Sequence, residues 1–120
     1  MAIRKKYNQS NYRSGSALVY EQIEIQSDFS ARKNVSDLQD LKYKGEVLFR
    51  NSYIRQQDIQ FMENKSDDEK RKIVIRNCPF VHKGNKLKID KKIYDVVRID
   101  PDMEEQELYL YLELYRVMEE

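Results

Sequence analysis

The sequence predicts a mainly β chain: a small antiparallel β-barrel or sandwich of about six strands, with one short helix and a long loop after the first strand. Three observations carry this. Apolar residues recur at every second position in several short runs, the period of a half-buried strand. Nine Tyr supply aromatic side chains suited to pleated surfaces. The last third of the chain falls into extended runs separated by turn signals, the pattern of consecutive hairpins.

Taken in order, residues 1–17 are rich in Ser, Asn, Arg and Lys and read as a flexible basic arm. Arg4, Lys5, Lys6, Tyr7 and Tyr12 form its candidate partner-docking set, with the two tyrosines as anchors. Residues 18–120 form the single domain. From Leu18 to Gln26 the chain alternates, placing Val19, Ile23 and Ile25 on one face of a first strand. Residues 27–44 hold no lasting period and read as a loop of unusual length for a compact domain. Gly45 then opens a second strand, EVLFRNSY, with Val47, Phe49 and Tyr53 facing inward.

The piece IRQQDIQFMEN, with Ile54, Ile59 and Met62 apolar and Asp58 between them, fits a short helix. KIVIRN alternates on Ile73 and Ile75 and stops at Cys78-Pro79. KLKID and KIYDVVRID are two strands joined at Asp90-Lys91-Lys92, and PDMEEQ is a turn that Pro101 opens. ELYLYLELYRV runs in twos, Leu108, Leu110, Leu112 and Leu114 on one face and Tyr109, Tyr111 and Tyr115 on the other. A helix would scatter those leucines around its circumference. Both faces of this strand are bulky, so each is expected to meet something, one of them the core.

With 120 residues the chain has the size of one domain around one core. Its net charge of +1 hides an uneven distribution. Residues 65–98 carry eleven Lys and Arg against five acids, whereas residues 100–120 carry eight acids and only Arg116. Three readings fit: a solvated surface, complementary faces of neighbouring subunits, or basic stretches near DNA phosphates. No apolar run reaches the length of a membrane span. The polar residues after the basic start do not suit a secretory signal.

Enzyme chemistry finds little footing. His82 is the sole histidine and has no Cys or carboxylate cluster at metal-ligand spacing. The three glycines are not grouped to cradle a phosphate, and there is no nucleophile elbow. Cys78 rules out an intramolecular disulfide and reads as a small buried hydrophobe. Glu104, Glu105 and Glu107 sit on a turn without apolar neighbours and look like solvated charge. No catalytic residue, metal site or cofactor is expected. Single-strand nucleic-acid binding is the rival from a different class, since a barrel with a Tyr stripe and many lysines resembles a stacking platform. The acids on the Tyr strand speak against it, and aromatic stripes also mark subunit interfaces.

The layout from Leu18 to Tyr115 resembles the head-closure, or head–tail adaptor (stopper), proteins of tailed bacteriophages. LVYEQIEIQ is similar to the family's first strand, and GEVLFRNSYIRQQDI to the strand that leads into a short helix. KRKIVIRNCPFV resembles its strand ending in an Ile-x-Ile-Arg element, here Ile73 to Arg76. KLKIDKKIYDVVRIDPDMEEQELYLYLELY resembles its closing hairpin, with Asp90-Lys91-Lys92 where many relatives have Asp-Gly-Lys. The basic arm is unlike the short apolar start of many members.

This resemblance implies a non-enzymatic virion protein of the head-to-tail connector, made in the bacterial host cytoplasm. It implies a ring, usually a dodecamer, below the portal protein or a portal adaptor. Such a ring closes the DNA-filled head, lets packaged double-stranded DNA pass and docks a tail-completion or terminator protein. Arg32, Lys33, Lys42 and Lys44 would then face the DNA channel from the 27–44 loop. Glu104, Glu105, Glu107, Tyr109, Tyr111 and Tyr115 would form the subunit interface. The nearest alternative is another neck component, such as a tail-completion subunit.

Overall fold

Alternating burial builds six strands, and a computed structural model shows how they close on one another. It describes residues 12–23, 41–62 and 65–118. The strands are β1 (Gly15–Gln22), β2 (Leu41–Ser52), β3 (Lys70–Arg76), β4 (Lys86–Ile89), β5 (Lys92–Asp102) and β6 (Glu107–Val117). All pairings are antiparallel, and the order β1-β2-β3-β6-β5-β4 closes into a barrel. Two three-stranded meanders therefore face each other. They join where β3 meets β6 and again where β1 meets β4, the latter through Leu18, Val19 and Tyr20 opposite Lys88, Leu87 and Lys86.

The core is the barrel lumen. Ala17 and Val19 fill it from β1, Phe49 from β2, Ile73 and Ile75 from β3, and Leu87 and Ile89 from β4. Tyr94 and Val96 come from β5, and Leu108, Leu110 and Leu112 from β6. Each fully buried aliphatic or aromatic side chain contributes about 1.5–3 kcal/mol relative to exposure. The β3–β4 crossover supplies Val81, also buried, with Phe80 and Cys78 packed beside it. It carries the chain between strands that are not neighbours, so it lies against the barrel interior. Gly45 records the close fit: its φ is 157°, and a Cβ there would stand 2.8 Å from the Phe80 ring. His82 is an exposed residue of this crossover.

Several expectations need correction. The first strand starts earlier and ends sooner than 18–26, because Ala17 and Val19 are its inward residues and Gln22 meets the first residue of β2. Ile23 is accordingly 43% exposed, and Ile25 lies outside the described residues. Residues 41–44 are not loop but the start of β2. A bulge between Val19 and Tyr20 shifts the register there and breaks the alternation that would have revealed the strand. Tyr53 follows β2 and is 90% exposed instead of facing in.

The segment after Tyr53 is a 3-10 helix, Gln56–Phe61, and a second short 3-10 turn, Asp67–Glu69, precedes β3. In the first of these Asp58 is buried while Ile59 is turned outward, and Met62, which follows it, is buried too. Pro101 does not open a turn. It lies inside β5 opposite Leu108, where β4 no longer flanks β5 and a missing N–H is tolerated. The turn itself is Met103–Gln106, with Gln106 at φ 57° and the Asp102 side chain accepting the Glu105 N–H at 3.2 Å. The β4–β5 turn has Asp90 at φ 54°, a conformation that Asp tolerates. At the amino end, Tyr12 is buried and β1 begins at Gly15, so the barrel includes the last residues assigned to the arm.

Candidate functional site

The outer faces of β3, β6 and β5 lie side by side and carry much of the organised polar chemistry among the described residues. On β6 the outward residues are Glu107, Tyr109, Tyr111, Glu113 and Tyr115, alternating with the leucines of the core. Register sets a cation beside three of these five from β3: Arg76 opposite Glu107, Lys72 opposite Tyr111 and Lys70 opposite Glu113. From β5, Asp102, Asp100, Arg98 and Asp95 stand opposite Glu107, Tyr109, Tyr111 and Glu113. The result is a belt of tyrosines between cations on one side and mostly acids on the other.

Its centre is Asp58, wholly buried although it belongs to the helical connection between β2 and β3. Lys72 Nζ donates to Asp58 Oδ2 at 2.8 Å, and Tyr111 Oη donates to Oδ1 at 3.2 Å. Arg55 closes the ring with its backbone N–H at 2.9 Å and its guanidinium at 3.1 Å. Burial by itself pushes the Asp58 carboxyl up, but the hydrogen bonds from Arg55 and Lys72 outweigh it and hold the group well below the carboxylate range. Burial, and then the nearby Asp100 and Asp58, push the Tyr111 hydroxyl up to about 12. Phe61 packs edge-on to Tyr111 at 5.7 Å, and the Arg98 guanidinium lies 3.8 Å over the Phe61 ring. Together these contacts strap the connection onto the barrel.

A second node ties down the amino end. Tyr12 Oη donates to Glu107 Oε2 at 2.9 Å, and Arg50 engages the same carboxylate with both Nη atoms, Nη2 standing 3.1 Å from Oε1. Arg50 also stacks over the Tyr12 ring at 5.8 Å. Burial, then the hydrogen bond to Glu107, raises the Tyr12 hydroxyl to about 12. A third node joins Lys86, Asp95 and Tyr115: Lys86 pairs with Asp95 and sits 4.4 Å over the Tyr115 ring.

These contacts redistribute the residues singled out in the sequence. Glu107 is neither solvated nor on a turn; it is a buried β6 residue neutralised within the chain by Arg50. Tyr111 is 1% exposed, filled over by Phe61 and Asp58, and cannot meet a neighbouring subunit. Tyr12 is likewise consumed by its own barrel and is not free for a partner. Tyr109 is half-buried with Lys72 5.2 Å from its ring centre, and Tyr115 keeps an exposed edge. Glu104 is exposed and Glu105 half-buried, on the β5–β6 turn as expected. Lys42 and Lys44 stand on β2, not on a loop. Arg4, Lys5, Lys6, Tyr7, Arg32 and Lys33 lie outside the described residues.

Sequence reasoning missed Asp58. The signal was present, an acid placed between Ile54, Ile59 and Met62, but nothing local says that Lys72 will reach it from β3. Among the described residues no group of three or more His, Cys, Asp or Glu is arranged to hold a metal ion, and no helix is long and apolar enough to cross a membrane. No family model and no curated protein matches the chain. Among solved structures, the solution structure of protein SF1141 from Shigella flexneri 2a is similar in fold. Its TM-score is 0.57 at 6% identity, over 87% of this chain and 94% of that one. The likeness speaks for the six-stranded barrel alone.

Proposed function

We propose that this barrel is a structural subunit of a tailed-phage head-to-tail connector, forming a ring below the portal that closes the filled head and docks the tail. The observation that carries the reading is the β1–β2 hairpin. It pairs along its whole length, from Gly15 opposite Phe49 to Gln22 opposite Leu41, while β3 flanks β2 only from Phe49 to Ser52. The hairpin thus runs past the end of β3, and residues 23–40 separate its two strands in the sequence. The resembling family likewise has a long loop after its first strand, the segment from which channel-facing cations are expected. The order of strand, long connection, strand, short helix and closing hairpin supports the same reading.

The belt favours a scaffold over a nucleic-acid platform. Tyr111 is covered, Tyr109 and Tyr111 face Lys72, and Tyr115 faces Lys86, so the aromatic faces that bases would stack on are already occupied. With Glu107 committed to Arg50, the acidic contribution to a subunit contact narrows to Glu104 and Glu105 on the β5–β6 turn. Mixing the chain with portal rings and weighing the product by mass photometry tests the proposal. A single discrete step, by one ring of subunits, is expected; portal rings of unchanged mass would refute it. A neck component from another layer, such as a tail-completion subunit, would add mass only to portal rings that already carry an adaptor.

A further inference from the structure

Two segments cover the outer wall of the barrel, and they are fastened differently. The connection between β2 and β3 is held by a buried ion pair, Lys72 Nζ meeting Asp58 Oδ2 at 2.8 Å. Residues 12–14 are held by a bulge at one end and a catch at the other. Ser14 donates its N–H to the Phe49 carbonyl at 3.0 Å, although Phe49 is already the register partner of Gly15. Two residues thus oppose one of β2, and such a bulge bends the strand. Gly15 has a φ of 150°, which residues with a side chain rarely adopt. The Asn51 N–H donates to Ser14 Oγ at 3.0 Å. From this base the chain passes the exposed Arg13 to Tyr12, whose hydroxyl is fixed on Glu107 and whose ring lies against Arg50.

We infer that residues 12–14 are a lid that opens on a hinge at Gly15 while the barrel and the β2–β3 connection stay closed. Opening strands no charge. Arg50 engages Glu107 with both Nη atoms, so the carboxylate keeps its cation when the tyrosine leaves. Lifting the β2–β3 connection instead would part Asp58 from Lys72 and leave a buried ammonium without its counter-charge, a far more costly event.

The lid covers one defined spot. Tyr12 spans from Arg50 on β2 to Glu107 on β6 and so crosses β3, the strand between them. Under that path lies Val74, the register partner of both Arg50 and Tyr109. It points away from the lumen that Ile73 and Ile75 fill, yet it is only 1% exposed. The open state presents this apolar spot and the Arg50–Glu107 pair on a wall that is sealed when the lid is down. The motion belongs to the chain itself and does not depend on the connector reading.

Native-state hydrogen exchange of the full chain, followed residue by residue by NMR, tests this. The Ser14 and Asn51 amides are expected to exchange at least about tenfold faster than the amides of the β3–β6 ladder. Low urea should speed the ladder and barely move Ser14 and Asn51, because an opening lid exposes little surface. Lys72→Met weakens the other fastening and should speed the ladder while leaving Ser14 and Asn51 unchanged. Tyr12→Phe removes the catch and should speed Ser14 and Asn51 about fivefold. Ser14 and Asn51 exchanging at the ladder's rate and urea slope would overturn the inference, because the segment would then open only with the barrel. Joint acceleration of all these amides in Lys72→Met would overturn it too, as would a Tyr12→Phe chain that exchanges like the parent. Ser14 and Asn51 exchanging as fast as an unstructured chain would mean that no closed lid exists.

Discussion

Lys72 Nζ lies 2.8 Å from Asp58 Oδ2, and the two side chains are 4% and 1% exposed. The pair joins the outer face of β3 to a helical connection that has little other regular structure. Breaking one partner of such a pair leaves the other charge buried and costs about 3–5 kcal/mol. Lys72→Met is expected to lower stability toward the low end of that range, since Arg55 still holds Asp58. Asp58→Leu with Lys72→Met should recover most of the loss. Urea unfolding followed by circular dichroism measures both, and a double variant no more stable than the single one would argue against a paired role.

The depressed Asp58 carboxyl sets the acid limb of the stability curve. Its folded value lies below its unfolded value, so the contribution is complete above about pH 5. It is lost as pH falls through about 4 and below. Asp58→Asn should flatten this limb in the acid unfolding of the chain. An unchanged slope would assign the acid sensitivity to other carboxylates.

At the alkaline end the sign reverses. Tyr12 and Tyr111 are raised to about 12, so their contribution is present below about pH 10 and lost as pH climbs toward 12. Tyrosinate absorbance should show Tyr12 and Tyr111 among the late-titrating groups, one lost in Tyr12→Phe and one in Tyr111→Phe, beside Tyr20, whose hydroxyl is also raised by burial. Tyr12→Phe deletes the hydroxyl that reaches Glu107 and should cost about 1 kcal/mol.

Gly45 is a test of the crossover packing. Gly45→Ala places a Cβ against Phe80 at a φ of 157°, and a loss of about 1–3 kcal/mol is expected. Pairing it with Phe80→Leu should relieve the contact but not the backbone strain, giving partial recovery of the urea midpoint.

Tyr53 and Phe49 lie four residues apart on and just beyond one strand and should respond oppositely. Phe49→Ala removes a fully buried ring at a cost of about 3–5 kcal/mol. Tyr53→Ser removes a ring that is 90% exposed and should stay within about 0.5 kcal/mol of the parent. Thermal unfolding of the two variants decides between an inward and an outward Tyr53.

Much of the fold was legible because period-two patterning is a local property. β6 shows it: Leu108, Leu110 and Leu112 alternate with Tyr109 and Tyr111 whatever the rest of the chain does. β2 was half legible, since its first four residues include two lysines and precede a bulge that interrupts the period. Pro101 misled because a proline reads as a turn unless one knows that β4 no longer flanks β5 at that point. The site was less legible than the fold. The Tyr stripe was visible, but its partners Lys72, Asp58 and Phe61 lie tens of residues away in the chain.

The residues alone determined that this is a chain of short strands with one buried face each, because side-chain alternation needs no distant information. Which strands became neighbours, and therefore which charges met, was decided only on closure of the barrel. Glu107 reads as a solvated acid until β2 brings Arg50 beside it and the amino end lays Tyr12 across both. Asp58 reads as a surface residue of a polar segment until β3 and β6 present Lys72 and Tyr111. A carboxylate's burial depends on the sum of contacts from separate strands, and that sum exists only in three dimensions.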